Sequence, residues 1–207
     1  IMDQEATEFP RGDLAIHIPR FIKEILAQFT LEARASNEIN QASGVSVRVT
    51  INNLESVLSN AEKRTVRLNE KEIVPRMSDL HALFSSTSGK IELEYSGEDK
   101  REDDLIDRLV NRAVLKVFDQ YFQLDTFKPT IAYFANGWGV KVSDMMTSTA
   151  YLEEPKNIPG LKEALVTLGV GEQPARVASA TEFILEGLHL HQKLNKEREG
   201  GRYTYRA

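Results

Sequence analysis

The sequence has no cysteine among its 207 residues. Disulfides, thiolate zinc sites and cysteine nucleophiles are therefore excluded, and the chain fits a reducing, cytoplasmic compartment. No apolar run is long enough to cross a bilayer and no signal-peptide pattern is present, so no membrane partner is expected. Basic residues are not in excess: 26 Lys and Arg stand against 31 Asp and Glu, a formal net charge of -5. A general nucleic-acid binder carries a basic surface, so this balance counts against one. A phosphate-cradling Gly-x-x-x-x-Gly-Lys-Ser/Thr loop is also missing. Its nearest approach, Ser88-Gly89-Lys90, has Phe84 at the first glycine position and Ile91 at the hydroxyl position. No apolar run ends in Asp-Glu to hold magnesium, so the chain alone is not expected to be an ATP-hydrolysing enzyme. No serine stands in a nucleophile elbow, so no catalytic residue is assigned.

Metal chemistry has little support. His189 and His191 lie two apart on a helical stretch and point in different directions, while His17 and His81 are isolated. The carboxylates Glu98, Asp99, Glu102, Asp103 and Asp104 lack the glycine and ligand spacing of a calcium loop and read as a solvated acidic surface.

What the chain does have is helical periodicity. Hydrophobic residues make up 41% and charged residues 28%, a globular balance, and the length suits one large or two small domains. Ile18, Phe21, Ile22, Ile25, Leu26 and Phe29 fall on one helical face behind Pro19. Ile51, Leu54, Leu58 and Ala61 mark a second helix, from about Val47 to Lys63. Asn69 with Glu72 has the form of a capping box for a short helix that Pro75 must kink or end. Ser78 can cap the next one, with Leu80, Leu83 and Phe84 inward.

Ser85 to Gly89 is the best domain boundary. Ile91, Leu93 and Tyr95 alternate with glutamates, which allows one short strand near 91–95. From Leu105 to Phe122, two apolar residues per turn give the strongest helix and the expected axis of a second domain, with Asp104 and Arg108 free to pair outside. Short helices are expected at Phe127–Phe134, Asp144–Tyr151 and after Pro159. Trp138, between two glycines, reads as a core plug. A last helix runs from Pro174 to about Glu197, and Gly200-Gly201 breaks it. The expected class is all-α. Residues 1–13 form a linker, 14–86 a helical bundle, 87–199 a second helical domain and 200–207 a flexible tail.

The polar stretch Ser43-Gly44-Val45-Ser46-Val47-Arg48 stands apart. Ser46 can cap the second helix, which puts Arg48 in its first turn, free to reach a phosphate outside the bundle. An ordinary surface arginine has the same residue chemistry. Arg34, at the end of the first helix, either joins a phosphate-facing patch or compensates the helix C-terminus.

Here the sequence resembles a known family. Gly44-Val45-Ser46-Val47-Arg48, the helix behind it, and Arg64 followed by Leu68-Asn69-Glu70-Lys71-Glu72-Ile73 resemble the lid of AAA+ ATPases of the MoxR and magnesium-chelatase branch. Val47 stands where such lids usually carry proline. Gly137-x-x-Val140-x-Val142-Ser143-Asp144, Ile158-Pro159-Gly160-Leu161 and Ala180-x-Glu182-Phe183-x-Leu185-Glu186-Gly187-Leu188 are similar to the C-terminal half of bacterial magnesium-chelatase-like ATPases. The resemblance implies that 14–86 is an AAA+ lid and that Arg48 is its sensor-2 arginine, approaching the γ-phosphate of ATP. It implies that ATP and Mg are bound by the parent protein, and that the chain starting at Ile1 is a piece of that protein. Its partners would be the nucleotide-binding core, neighbouring subunits of a ring and a client protein. The alternative is a stand-alone helical protein-interaction or transcription-related adaptor, since several short helices could contain a helix-turn-helix.

Overall fold

The computed structural model describes residues 14–40, 45–91, 102–199 and 202–207. Strand β1 (Ala15–Ile16) leads to Pro19 and helix α1 (Arg20–Ala35), which buries Phe21, Ile22, Ile25, Leu26 and Phe29, the face expected from their spacing. Helix α2 (Val47–Arg67) comes next and buries Leu54, Val57, Leu58 and Ala61. It runs four residues beyond Lys63, the end expected from periodicity. Asn69 does not open a helix. Its φ of 53° is left-handed, its N–H donates to Val66 O, and the Glu70 N–H donates to Thr65 O. That is a Schellman closure of α2, with asparagine in the position glycine usually fills. The chain then forms strand β2 (Glu72–Ile73), parallel to β1.

A 3₁₀ turn (Met77–His81) passes directly into helix α3 (Ala82–Thr87). Ser78 is not its cap; the Asp79 carboxylate accepts the Arg76 N–H at 2.8 Å instead. Helix α4 (Glu102–Tyr121) buries Leu105, Ile106, Leu109, Val114, Val117 and Phe118. Arg108 does not pair with Asp104 but reaches Glu38 at 2.8 Å. The strand expected near 91–95 lies outside the described residues except for Ile91, which is buried.

Helix α5 (Lys128–Ala135) leads into strand β3 (Val140–Val142). Between them Trp138 is 58% exposed, its ring stacked on Tyr133 at 5.5 Å, so it is no core plug. The turn through Gly137, at φ 90°, carries it outward. The stretch 144–151 is a turn and a 3₁₀ segment, Ser148–Leu152, rather than an α-helix. Short helices α6 (Glu154–Asn157) and α7 (Leu161–Thr167) precede α8 (Pro174–Leu190).

Helix α8 stops seven residues short of Glu197. Gln192 takes a left-handed φ of 59°, and the N–H groups of Gln192 and Lys193 close the last turn on His189 O and Leu188 O. Beyond that turn the chain forms a hairpin, strand β4 (Asn195–Glu199) and strand β5 (Arg202–Arg206), not a flexible tail. Strand β5 is the central strand of an antiparallel sheet ordered β3-β5-β4. Tyr205 holds it down, 2% exposed beneath the sheet. The chain is thus mainly helical, with a few short strands.

Buried side chains from before and after the expected boundary at residue 87 belong to one cluster. Phe21 of α1 stacks on Phe183 of α8 at 4.5 Å, and Phe118 of α4 meets Phe183 at 6.0 Å. Helix α4 is therefore the axis of the whole core. Gly187 allows the close approach of α8: a Cβ there would lie 2.0 Å from Phe118 Cδ2. Gly187→Ala should destabilise the protein by about 1–3 kcal/mol, through overpacking. Urea denaturation checks this, and Phe118→Leu in the same chain should recover part of the loss.

His17, just after β1, has its pKa lowered, first by burial and then by Arg176, against an opposing pull from Glu72. The folded state thus resists protonating a group that the unfolded chain protonates below about pH 6.5. Its contribution to stability is present above that pH and is lost as pH falls through the lowered value. Stability should drop more between pH 7 and pH 5 in the native protein than in His17→Gln, measured by denaturation at each pH.

Candidate functional site

Ser46 caps α2 as its sequence suggests: Oγ accepts the Arg48 N–H at 3.2 Å. Arg48 is exposed in the first turn, and among the described residues its guanidinium has no hydrogen-bond or ion-pair partner. Ser43 and Gly44 lie outside the described residues. Arg34 reaches the same segment from the end of α1. Its Nε donates to Val45 O at 2.9 Å, so it fixes the residue that leads into α2.

The other residues considered from sequence are dispersed. His189 Nδ1 lies 2.9 Å from Leu194 O, whereas His191 Nε2 lies 2.7 Å from Asp119 Oδ1. The two imidazoles have separate partners. His81 Nδ1 sits 2.5 Å from Ser78 O. Glu102 accepts from the Ser88 hydroxyl and the Gly89 N–H, both at 2.9 Å. Glu98 and Asp99 lie outside the described residues.

Sequence reasoning missed the polar interior. Arg64, at the far end of α2, is 3% exposed and Arg76 is fully buried. Arg64 Nη2 donates to Asp79 Oδ2 at 2.8 Å and to Val74 O at 2.7 Å. Arg76 donates to Ser148 Oγ at 2.7 Å, to Met146 O at 2.8 Å and to Glu70 Oε1 at 3.2 Å. It also lies 4.9 Å from the centre of the Tyr151 ring. Tyr151 donates to Glu182 Oε1 at 2.6 Å, and Glu182 Oε2 accepts the Ser78 N–H at 3.0 Å.

These contacts tie α2, the 70–79 connection, the 146–151 segment and α8 together. Burial works against the charge of Arg64, but Asp79, with Glu182 and Glu70 behind it, outweighs burial and raises its pKa. The Tyr151 hydroxyl is pushed far up, first by burial and then by Glu182, so it stays a donor. Only the spacing of Arg64, Arg76 and Asp79 around a strand-forming Glu72-Ile73 hinted at this cluster, and charged residues in a loop normally read as surface.

Beside the cluster opens a cleft of about 630 Å³. Its walls are α4, the 77–84 segment, α8 and one face of the β3-β5-β4 sheet. The sheet's register places Val142 and Arg198 beside Tyr203, and Lys196 beside Tyr205, on that face. Glu186 of α8 clamps the hairpin: its Oε2 accepts from Lys196 Nζ at 2.6 Å and from the Tyr205 hydroxyl. The Tyr205 pKa is raised, first by burial and then by Glu186.

With this geometry, no family model matches the chain, and neither the curated proteins nor the solved structures include a significant match.

Asp79→Asn should cost about 3–5 kcal/mol, because it leaves the buried Arg64 without its nearest countercharge and with only Glu70, at 3.6 Å, to pair with. The unfolding midpoint in urea reads this directly. Replacing the half-buried Asp144, which meets Arg67 at 3.0 Å near the surface, should cost less than about 1 kcal/mol.

Proposed function

We propose that the chain is the C-terminal lid and helical region of a MoxR-like or magnesium-chelatase-like AAA+ ATPase, coupling nucleotide state to motion of a ring. The observation that carries this reading is Arg48: a guanidinium without a partner among the described residues, in the capped first turn of a long helix, within a Gly-x-Ser-x-Arg stretch. A guanidinium so placed suits a phosphate oxygen that another part of the protein presents. The donor set fits a sensing contact rather than a complete nucleotide pocket. ATP and Mg would be held by the nucleotide-binding core, and Arg48 would neutralise charge on the γ-phosphate. The partners in this reading are that core, neighbouring subunits and a client protein.

Helix α2 then serves as a lever. Arg48 and Arg64 lie sixteen residues apart, or about 24 Å along the axis. A phosphate that draws Arg48 would tilt the helix, and the Arg64 ion pairs would pass the tilt to the 70–79 segment and α8.

Arg48→Ala in the longer ATP-hydrolysing protein should lower turnover at least about tenfold, as expected for losing a preorganised charge contact. In the isolated chain the same substitution should change stability by less than about 0.5 kcal/mol. A steady-state ATPase assay beside a urea titration separates the two. Unchanged turnover and nucleotide affinity would remove Arg48 from the mechanism.

A further inference from the structure

The cleft between α4, α8 and the sheet has no part in the contact made by Arg48, and its chemistry points to a ligand of its own. We propose that it binds a small organic cation, a protonated amine or guanidinium carried on a short alkyl body. Its volume of about 630 Å³ lies within the range of small-molecule sites, roughly 300–1,000 Å³.

The floor is Glu186, only 8% exposed. Its Oε2 is committed to Lys196 and to the Tyr205 hydroxyl, which is its structural role. Its Oε1 has no hydrogen-bond partner among the described residues, and it is not one of the fully buried, unsatisfied atoms. Glu186 lines the cleft, and an ionised carboxylate oxygen can only accept, so a donor entering there completes it. At the rim, Asp107 Oδ2 accepts from its helix neighbour Asn111 at 3.0 Å, and Oδ1 has no partner among the described residues. Between floor and rim, Leu80, Phe84, Val110 and Val114 form an apolar wall that suits an alkyl chain.

The charges facing the space favour a cation. Asp107, Asp144, Glu182 and Glu186 are set against Lys196 and Arg198. Glu182 has both oxygens bonded, and Asp144 is paired with Arg67. Lys196 is spent on Glu186 and lies over the Tyr203 ring at 4.6 Å. Among the described residues, the unspent acceptors are thus Glu186 Oε1 and Asp107 Oδ1. Of the described cations that line the cleft, Arg198 is the one left for an anion, and it stands at the sheet side over Tyr203.

The test is a titration of the full chain by methyl-detected NMR at constant ionic strength. Hexylammonium and butylguanidinium are the probes, and hexanoate is the matched anion. The cations should shift the methyls of Val110 and Val114, and hexanoate should not. Asp107→Asn, an exposed change that leaves the core alone, removes a rim charge but no contact with the head group, and should weaken cation binding only about twofold. Glu186→Gln should weaken it further; Glu186→Asp, which keeps the charge, controls for a loosened hairpin and should bind more tightly than Glu186→Gln. No cation-induced shift at the cleft, equal shifts with hexanoate, or equal affinity in Glu186→Gln and Glu186→Asp would each overturn the proposal.

Discussion

Two arginines carried into the interior, Arg64 and Arg76, set the terms for the rest of the fold. A guanidinium cannot shed its proton in a protein, so burying one obliges the chain to bring acceptors to it. Asp79, Glu70, Ser148 and two backbone carbonyls do so, and they come from separate stretches of the chain. Apolar packing tolerates small slides between helices. Charged hydrogen bonds near 2.8 Å do not, and here they fix α2 and the 146–151 segment against the 70–79 connection. Through Tyr151 and Glu182 the same set reaches α8.

Around this cluster the apolar core is continuous. Helix α4 meets α1 on one side and α8 on the other, and Phe118 packs where Gly187 removes a side chain. The hairpin at the C-terminal end belongs to the same body, because Glu186 of α8 takes the Tyr205 hydroxyl and Lys196. Helix α8 thus carries two buried glutamates one turn apart. Glu182 completes the ion cluster, and Glu186 closes the hairpin and faces the cleft.

The helices with strong one-sided patterns were legible in the sequence, and the reasons are local. The apolar stripes of α1, α2 and α4 fix their buried faces, and Ser46 marks the start of α2. The misread places share a cause. Asn69 and Gln192 end helices in left-handed conformations where a cap or continued helix is the ordinary reading. Gly200-Gly201 between Asn195–Glu199 and the alternating Arg202–Arg206 is a hairpin signal, hidden because the preceding residues are charged and come after a helix without a glycine stop. For the site, the exposure and capping of Arg48 were readable. The cleft was not, since Asp107, Glu186 and Lys196 come together only through tertiary packing.

Arg48 and the ion cluster occupy the two ends of one helix, which gives the proposed sensing role its mechanical sense: what is felt at one end is anchored at the other. The most direct measurement is an experimental structure of the longer protein with a slowly hydrolysed ATP analogue. The Arg48 guanidinium should lie within hydrogen-bonding distance of a γ-phosphate oxygen, in its own or a neighbouring subunit. A bound nucleotide with Arg48 left in solvent, or α2 turned away from the nucleotide-binding core, would contradict it.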